Sequence, residues 1–187
     1  MLKRLFDIFF AFLAMMFAFV PGIFIWLSVR ATSPGPALYW SRRVGRNGQL
    51  FAMPKFRTMQ LNTPELATDK LTNPDQYLTP IGSFLRRTSL DELPQLYSVI
   101  RGDMSIVGPR PALHNQFALI KVRSKLGIDV LRPGVTGWAQ INGRDEIEMQ
   151  DKLRLEGEYL KRQSLFFDLK IIVLTVVAVV RIRGITH

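Results

Sequence analysis

A chain of 187 residues, 48% hydrophobic, with a formal net charge of +10 and no cysteine, has room for one domain with a real core and a membrane appendage. The absence of cysteine excludes a disulfide framework and thiolate metal sites. The basic balance points to anionic partners: nucleic acid, an anionic membrane face or phosphorylated substrates. No helix-turn-helix, zinc-finger or aromatic RNA-binding signature is present, so nucleic acid is set aside.

The run Leu5 to Val29 is almost wholly apolar, with Asp7 as its one charge. It exceeds the roughly 20 residues needed to span a bilayer, and no small-residue cleavage site of the signal-peptide kind closes it. Pro21-Gly22 interrupts it, and proline removes a helical hydrogen bond, so a kink or break is predicted there. Lys3 and Arg4 precede the run; Arg30, Arg42, Arg43 and Arg46 follow it. Positive residues favour the cytoplasmic side, so basic flanks at both ends suit a re-entrant helix-break-helix over residues 1–30, with a kinked transmembrane helix as the alternative. Residues 31–187 then form a catalytic head.

Within the head, Leu38-Tyr39-Trp40 and Leu50 to Met53 read as short strands joined by an Arg-Asn-Gly turn. Lys55 and Arg57 follow, alternating with Phe56. Residues 62 to 80 form a polar, proline-rich loop, predicted exposed and mobile. A short helix over Ile81 to Arg87 presents Arg86 and Arg87. The octet Ser89-Leu90-Asp91-Glu92-Leu93-Pro94-Gln95-Leu96 opens a helix that runs to Val99. Its spacing matches a capping box with Ser89 as N-cap and Glu92 at the third helical position; Asp91 as N-cap, with Pro94 in the first turn, is the other structural reading. Its chemical reading is that two adjacent carboxylates stand among Arg86, Arg87, Arg101 and Arg110 in a chain with only two histidines, His114 and His187, so Asp91 and Glu92 are the first candidates for catalysis.

Gly108-Pro109-Arg110-Pro111 comes next. Prolines on both sides fix the backbone of Arg110, and a rigid bidentate guanidinium suits phosphate; an extended linker with a solvated arginine is the plain alternative. A helix is predicted from Ala112 to Leu126, an irregular loop from Leu131 to Arg144, and a charged surface helix from Glu146 to Gln163. The apolar run Ile171 to Val180 is too short to span a bilayer. Its Val and Ile content suits a buried strand, and its basic flanks suit an interfacial element.

Four segments in order, Lys55-Phe56-Arg57-Thr58-Met59, the octet at Ser89, Gly102 to Pro111 with its Gly-Pro-Arg-Pro, and Arg132 to Arg144, resemble the bacterial sugar transferase family. The length and single anchor are similar to its small monotopic phosphoglycosyl transferases, from Lys3-Arg4-Leu5-Phe6-Asp7 nearly to the C-terminus. The resemblance implies a mostly helical α+β fold, with a small α/β head and interfacial helices on the cytoplasmic face of the bacterial inner membrane. It implies transfer of a sugar 1-phosphate from a UDP-sugar to a polyprenol phosphate, usually undecaprenyl phosphate, with release of UMP. Asp91 maps onto the nucleophile that forms a covalent aspartyl phosphosugar, and Glu92 onto a second carboxylate for positioning or proton handling. Magnesium is implied, with Asp91 as its ligand. Lys55, Arg57, Arg86, Arg110, Gln140 and Arg144 are the candidate phosphate and uridine contacts. Anionic lipids are implied partners, and a homodimer is compatible with the resemblance.

The chain departs from the family pattern at Val20 before Pro21, where Ser is usual, and at Asp145 for Asn, Met149 for Trp and Glu156 for Asp. The last three are expected in the surface helix, with effects on sugar preference or membrane contact. The rivals to an enzyme are an idle membrane scaffold, in which the octet is only a helix cap, and a basic peripheral membrane binder.

Overall fold

The computed structural model describes residues 1–64, 73–143 and 147–181. Part of the predicted 62–80 loop, Arg144 and Asp145, and His187 lie outside the described residues. Among the described ones, helix α1 spans Leu2–Thr32. It does not stop at Pro21: the helix-break-helix expected from the sequence is one helix of 31 residues with Pro21 inside it. Proline kinks a helix as readily as it ends one, and here the apolar run on both sides offers the backbone no other hydrogen-bonding partner. At 1.5 Å per residue the helix is about 46 Å long, long and apolar enough by composition to cross a membrane.

One narrow stripe of α1 touches the rest of the protein. Asp7, Ala11, Ile25 and Val29 are buried and Ala14, Ala18 and Gly22 half-buried, at helical spacing. Elsewhere the helix exposes large side chains; Phe9, Phe12, Phe17, Phe19 and Phe24 are each more than half accessible. The stripe is seated at both ends on the same head. Near its start, Arg4 donates to the carbonyls of Val99 and Ile100 at 2.5 and 2.6 Å. Near its end, Ile25 and Val29 pack with Ala37, Phe56 and Leu85.

The head contains two small sheets. Strands β1 (Leu38–Val44) and β2 (Leu50–Phe56) pair antiparallel, Leu38 opposite Phe56 and Val44 opposite Leu50. The turn at Arg46–Gly48 places Asn47 and Gly48 at positive φ, which asparagine and glycine tolerate best. The predicted hairpin is therefore present, with longer strands. After Met59, whose bridge to Leu78 ties the described ends of the loop together, come α2 (Gly82–Arg87) and α3 (Gln95–Arg101). Strand β3 (Ser105–Val107) follows, then β4 (Ala112–Leu113), which adds to β1, and α4 (Phe117–Lys125). Strand β5 (Gly134–Thr136) runs parallel to β3. The glycines of this region answer to close approach: a Cβ on Gly134 would stand 2.1 Å from the nitrogen of Gly108, and one on Gly137 would stand 2.1 Å from its oxygen. Their absence of side chain lets the Gly108-Pro109-Arg110 segment lie flat against β5.

Three helices close the head: α5 (Trp138–Ile141), α6 (Met149–Arg162) and α7 (Leu165–Arg181). The strand reading of Ile171 to Val180 is corrected, since the segment is helical throughout its described length. Phe167, Asp168 and Ile171 are buried, with Ile172, Thr175 and Ala178 half-buried, a period that a helix and not a strand satisfies. Burial against α5, β3 and β5 overrides the β-propensity of valine and isoleucine. Helix α6 is the charged surface helix on one face, with Asp151, Arg154, Lys161 and Arg162 exposed, and its other face is buried. Leu153, Glu156 and Tyr159 are buried, and Glu156 holds Arg123 of α4 through two hydrogen bonds of 2.5 and 2.8 Å.

Candidate active site

Between α2 and α3 the chain makes a tight 3-10 turn over Leu90–Glu92. Ser89, just before it, has φ 57° and ψ 18°, and its side chain caps nothing. Helix α3 starts instead behind Pro94. Neither capping scheme read from the octet is formed. This removes the support for treating the carboxylates as helix caps. Ser89→Gly tests the geometry. A capping serine loses a few tenths of a kcal/mol on replacement by glycine, whereas a left-handed serine costs roughly 1–2 kcal/mol that glycine avoids. The expected result is a rise of about 0.5 kcal/mol in stability after glycine's own entropic cost, seen as a higher unfolding temperature in detergent.

The turn aims its two carboxylates at cations delivered by separate elements. Lys55, at the end of β2, lies 2.7 Å from Glu92 Oε1 and 3.8 Å from Asp91 Oδ2. Arg110, held between its prolines, reaches Glu92 Oε1 at 3.3 Å. Arg110 is thus turned inward and not left to solvent. Arg86 of α2 donates to Thr58 Oγ1 at 3.1 Å, and its charge acts on Asp91. Asp91 is 7% exposed.

The two acids are therefore unequal. Burial pushes the Asp91 carboxyl above the usual carboxylate range, against the pull of Lys55 first and of Arg110 and Arg86 after it. Burial works on Glu92 in the same sense, but the charges of Lys55 and Arg110 and their hydrogen bonds overcome it and hold Glu92 well below that range. Burial also lowers Arg86. Glu92 is the fixed anion that positions two cations. Asp91 faces the same cations from farther away, with its oxygens uncommitted to a close partner among the described residues. A carboxylate in that position can attack an electrophile held by those cations or ligate a metal ion.

The other candidates fall elsewhere. Arg57 is buried and donates to the carbonyls of Pro36 and Ser33 at 2.6 and 3.2 Å, so its contacts hold the turn that leaves α1. Gln140 donates to the carbonyl of Val135 at 3.1 Å, and its Oε1 is buried with no partner among the described residues. Arg144 lies outside the described residues.

Behind the site is a polar network that the sequence reading did not assemble. Asp7 of α1 accepts from Ser105 Oγ at 2.9 Å, from the Ile106 backbone at 3.1 Å and from Lys3 at 3.0 Å. Lys3 also pairs with Asp168 at 3.0 Å, and the Tyr159 hydroxyl donates to Asp168 at 2.7 Å. These contacts anchor α1 and α7 to β3, the strand that leads into Arg110. The signal in the sequence was Asp7 itself, a lone charge in an apolar run, with Lys3 one turn before it; its partners on β3, Ser105 and Ile106, are 98 and 99 residues away and could not be read.

The chain matches the model of the family described as bacterial sugar transferase over residues 1–182. It is 41% identical over 185 residues to the UDP-glucose:undecaprenyl-phosphate glucose-1-phosphate transferase of Xanthomonas campestris pv. campestris, covering 95% of this chain and 38% of that protein. To the exopolysaccharide production protein ExoY of Rhizobium meliloti it is 37% identical over 200 residues, covering 98% of this chain and 88% of that protein. To the uncharacterized sugar transferase EpsL of Bacillus subtilis it is 40% identical over 185 residues, covering 98% and 90%. The chain spans about two fifths of the length of the Xanthomonas protein and of two similar relatives from Escherichia coli and Salmonella typhimurium.

Proposed function

This chain belongs to the bacterial sugar transferase family, and on that premise we propose that it transfers a sugar 1-phosphate from a UDP-sugar to a polyprenol phosphate, undecaprenyl phosphate by preference, and releases UMP. One observation carries the reading: a buried, uncommitted Asp91 beside a Glu92 that holds Lys55 and Arg110 in place. An Asp91 oxygen attacks the phosphorus that bears the sugar. The bond from that phosphorus to the bridging oxygen breaks, and UMP leaves with the electron pair. An oxygen of the lipid phosphate then attacks the same phosphorus, breaks the aspartyl–phosphorus bond and restores the carboxylate. Forming an acyl phosphate in this way is ordinary covalent catalysis for a carboxylate. A negative nucleophile approaching a diphosphate must be offset by fixed positive charge, which Lys55, Arg110 and Arg86 supply. Asp91 also fits a magnesium ion, which takes one or two carboxylates together with substrate phosphates. Bound magnesium would add charge neutralisation at the diphosphate.

The relatives' names support the substrate classes, and the seating of α1 supports the location. Both ends of an apolar helix rest on one head, which favours an anchor that enters and leaves by one membrane face, with the head on the cytoplasmic side of the inner membrane. Surface lysines and arginines add about 1 kcal/mol each toward anionic lipid.

The test is UMP release by the detergent-solubilised protein with magnesium, undecaprenyl phosphate and a panel of UDP-sugars, together with mass spectrometry of the peptide carrying Asp91. The expected result is UMP with at least one donor and a phosphosugar adduct on that peptide when lipid is withheld. Folded protein that yields neither across the panel would sink the proposal. The pH profile carries a further expectation. Burial disfavours the Asp91 anion, which must form before attack, so activity falls on the acid side. Lys55 stabilises the anion, so Lys55→Met moves that acid limb to higher pH while lowering the rate. A limb that stays in place would remove Lys55 from the electrostatics of Asp91.

A further inference from the structure

A groove of about 280 Å³ runs along the flank of the head, and among the described residues none of its lining side chains is charged. Met15 of α1 forms one wall. Leu38 and Trp40 of β1 with Pro54 of β2 form another, and Leu93, Pro94, Leu96 and Tyr97 line the rest. Trp40 and Tyr97 are each 49% exposed and stand edge to face at 6.4 Å. Paired apolar rings left open to the surroundings, beside a helix whose other faces are phenylalanine-rich, are continuous with the surface α1 offers to lipid.

The position of this groove is informative. Leu93 and Pro94 directly follow Glu92, and Pro54 directly precedes Lys55. Consecutive Cα atoms are about 3.8 Å apart, so the apolar wall begins one residue from the charged cluster on both segments. Successive side chains of a strand point to opposite faces. Strand β2 therefore sends Pro54 to the groove and Lys55 to the carboxylates, and its end is a boundary between hydrocarbon and charge. A UDP-sugar has nothing apolar with which to fill the groove. An amphiphile with a phosphate head and a hydrocarbon tail fits both sides of the boundary, and one whose tail starts at the phosphate fits best, because no polar spacer separates the two environments.

We propose that this groove binds the phosphate-proximal isoprene units of the polyprenyl phosphate acceptor, so that the lipid docks from the bilayer beside α1 with its phosphate at the cations around Asp91. This rests on the transfer reaction proposed above. The volume falls just below that of small-molecule pockets, which run about 300–1,000 Å³, so the groove holds the start of the chain and the remainder stays among the membrane lipids.

The experiment uses a polyprenyl phosphate carrying a photoreactive diazirine on its first isoprene units, added to the full chain in nanodiscs, with peptide mapping of the label. Labelling of the segments around Met15, Trp40 and Tyr97, displaced by undecaprenyl phosphate and not by phosphatidylglycerol or inorganic phosphate, is the expected result. Equal displacement by phosphatidylglycerol would show a general acyl-chain slot and overturn the proposal, as would labelling confined to α7. Trp40→Glu is expected to raise the KM for undecaprenyl phosphate by about tenfold or more, a loss of at least 1.4 kcal/mol of binding, with kcat at saturating lipid and the KM for the UDP-sugar within about twofold. Leu126→Glu, on an exposed site away from the groove, serves as the control for added charge. Labelling in the groove without UMP release from any donor would sink the reaction and leave the lipid site standing; UMP release with no label in the groove would do the reverse.

Discussion

Asp91→Asn is expected to lower UMP release by at least about 10³-fold, or roughly 4 kcal/mol of transition-state stabilisation, and to abolish the phosphosugar adduct. The substitution is nearly isosteric and leaves Glu92 in place to hold Lys55 and Arg110. Because Asp91 is 7% exposed and its charge is disfavoured by burial, replacing it by a neutral amide does not cost the fold. Thermal unfolding should stay within a few degrees of the unmodified protein. That separation makes the result decisive, since a dead enzyme with an intact fold places the chemistry on Asp91. Glu92→Gln is the informative contrast. It releases two cations from their anchor, so it slows the reaction through misplaced phosphate contacts while an adduct on Asp91 still forms. If Asp91→Asn retained substantial activity and Glu92→Gln did not, the roles of the two acids would be exchanged.

What the sequence made legible follows the range of the forces involved. The β1–β2 hairpin was readable because a local turn residue fixes it: Asn47 and Gly48 accept positive φ. The acid pair was readable because the carboxylates are neighbours in the chain. Lys55, Arg86 and Arg110 act on the acid pair, each from a short rigid element or from between prolines, whereas Arg101, also read as a neighbour of the pair, turns to Asp103. Arg57 has the same charge and lies two residues from Lys55, yet it turns to the carbonyls of Ser33 and Pro36. Strand alternation would place both on one face; β2 ends at Phe56, between them, and the tertiary surroundings decide. The capping box failed for a related reason. Its residue spacing was correct, but the left-handed backbone of Ser89 is set by how α2 meets α3, which no propensity reports. For α7, composition argued for a strand, and the packing of Phe167 and Ile171 into the same core as Ala11 decided for a helix.

Glu156 brings these points to one residue. In sequence it was a departure from the family's usual Asp, expected on a surface helix; in the fold it is 2% exposed and makes a two-pronged ion pair with the buried Arg123. A buried pair need not be worth more than a well-packed apolar pair, but removing one partner strands the other charge at a cost of about 3–5 kcal/mol. Glu156→Ala is therefore expected to lower the unfolding temperature by about 10 °C or more, at the roughly 2–4 °C per kcal/mol typical of a chain of this size. The loss should extend to the site, because Tyr159 lies one turn farther along α6 and donates to Asp168 and to the carbonyl of Val107, just before Gly108 and Arg110. The double change Arg123→Met with Glu156→Leu removes both charges and should recover most of the stability. Recovery by the double variant would identify the stranded guanidinium as the cause; an equal loss in both variants would instead assign it to packing of α6 against α4.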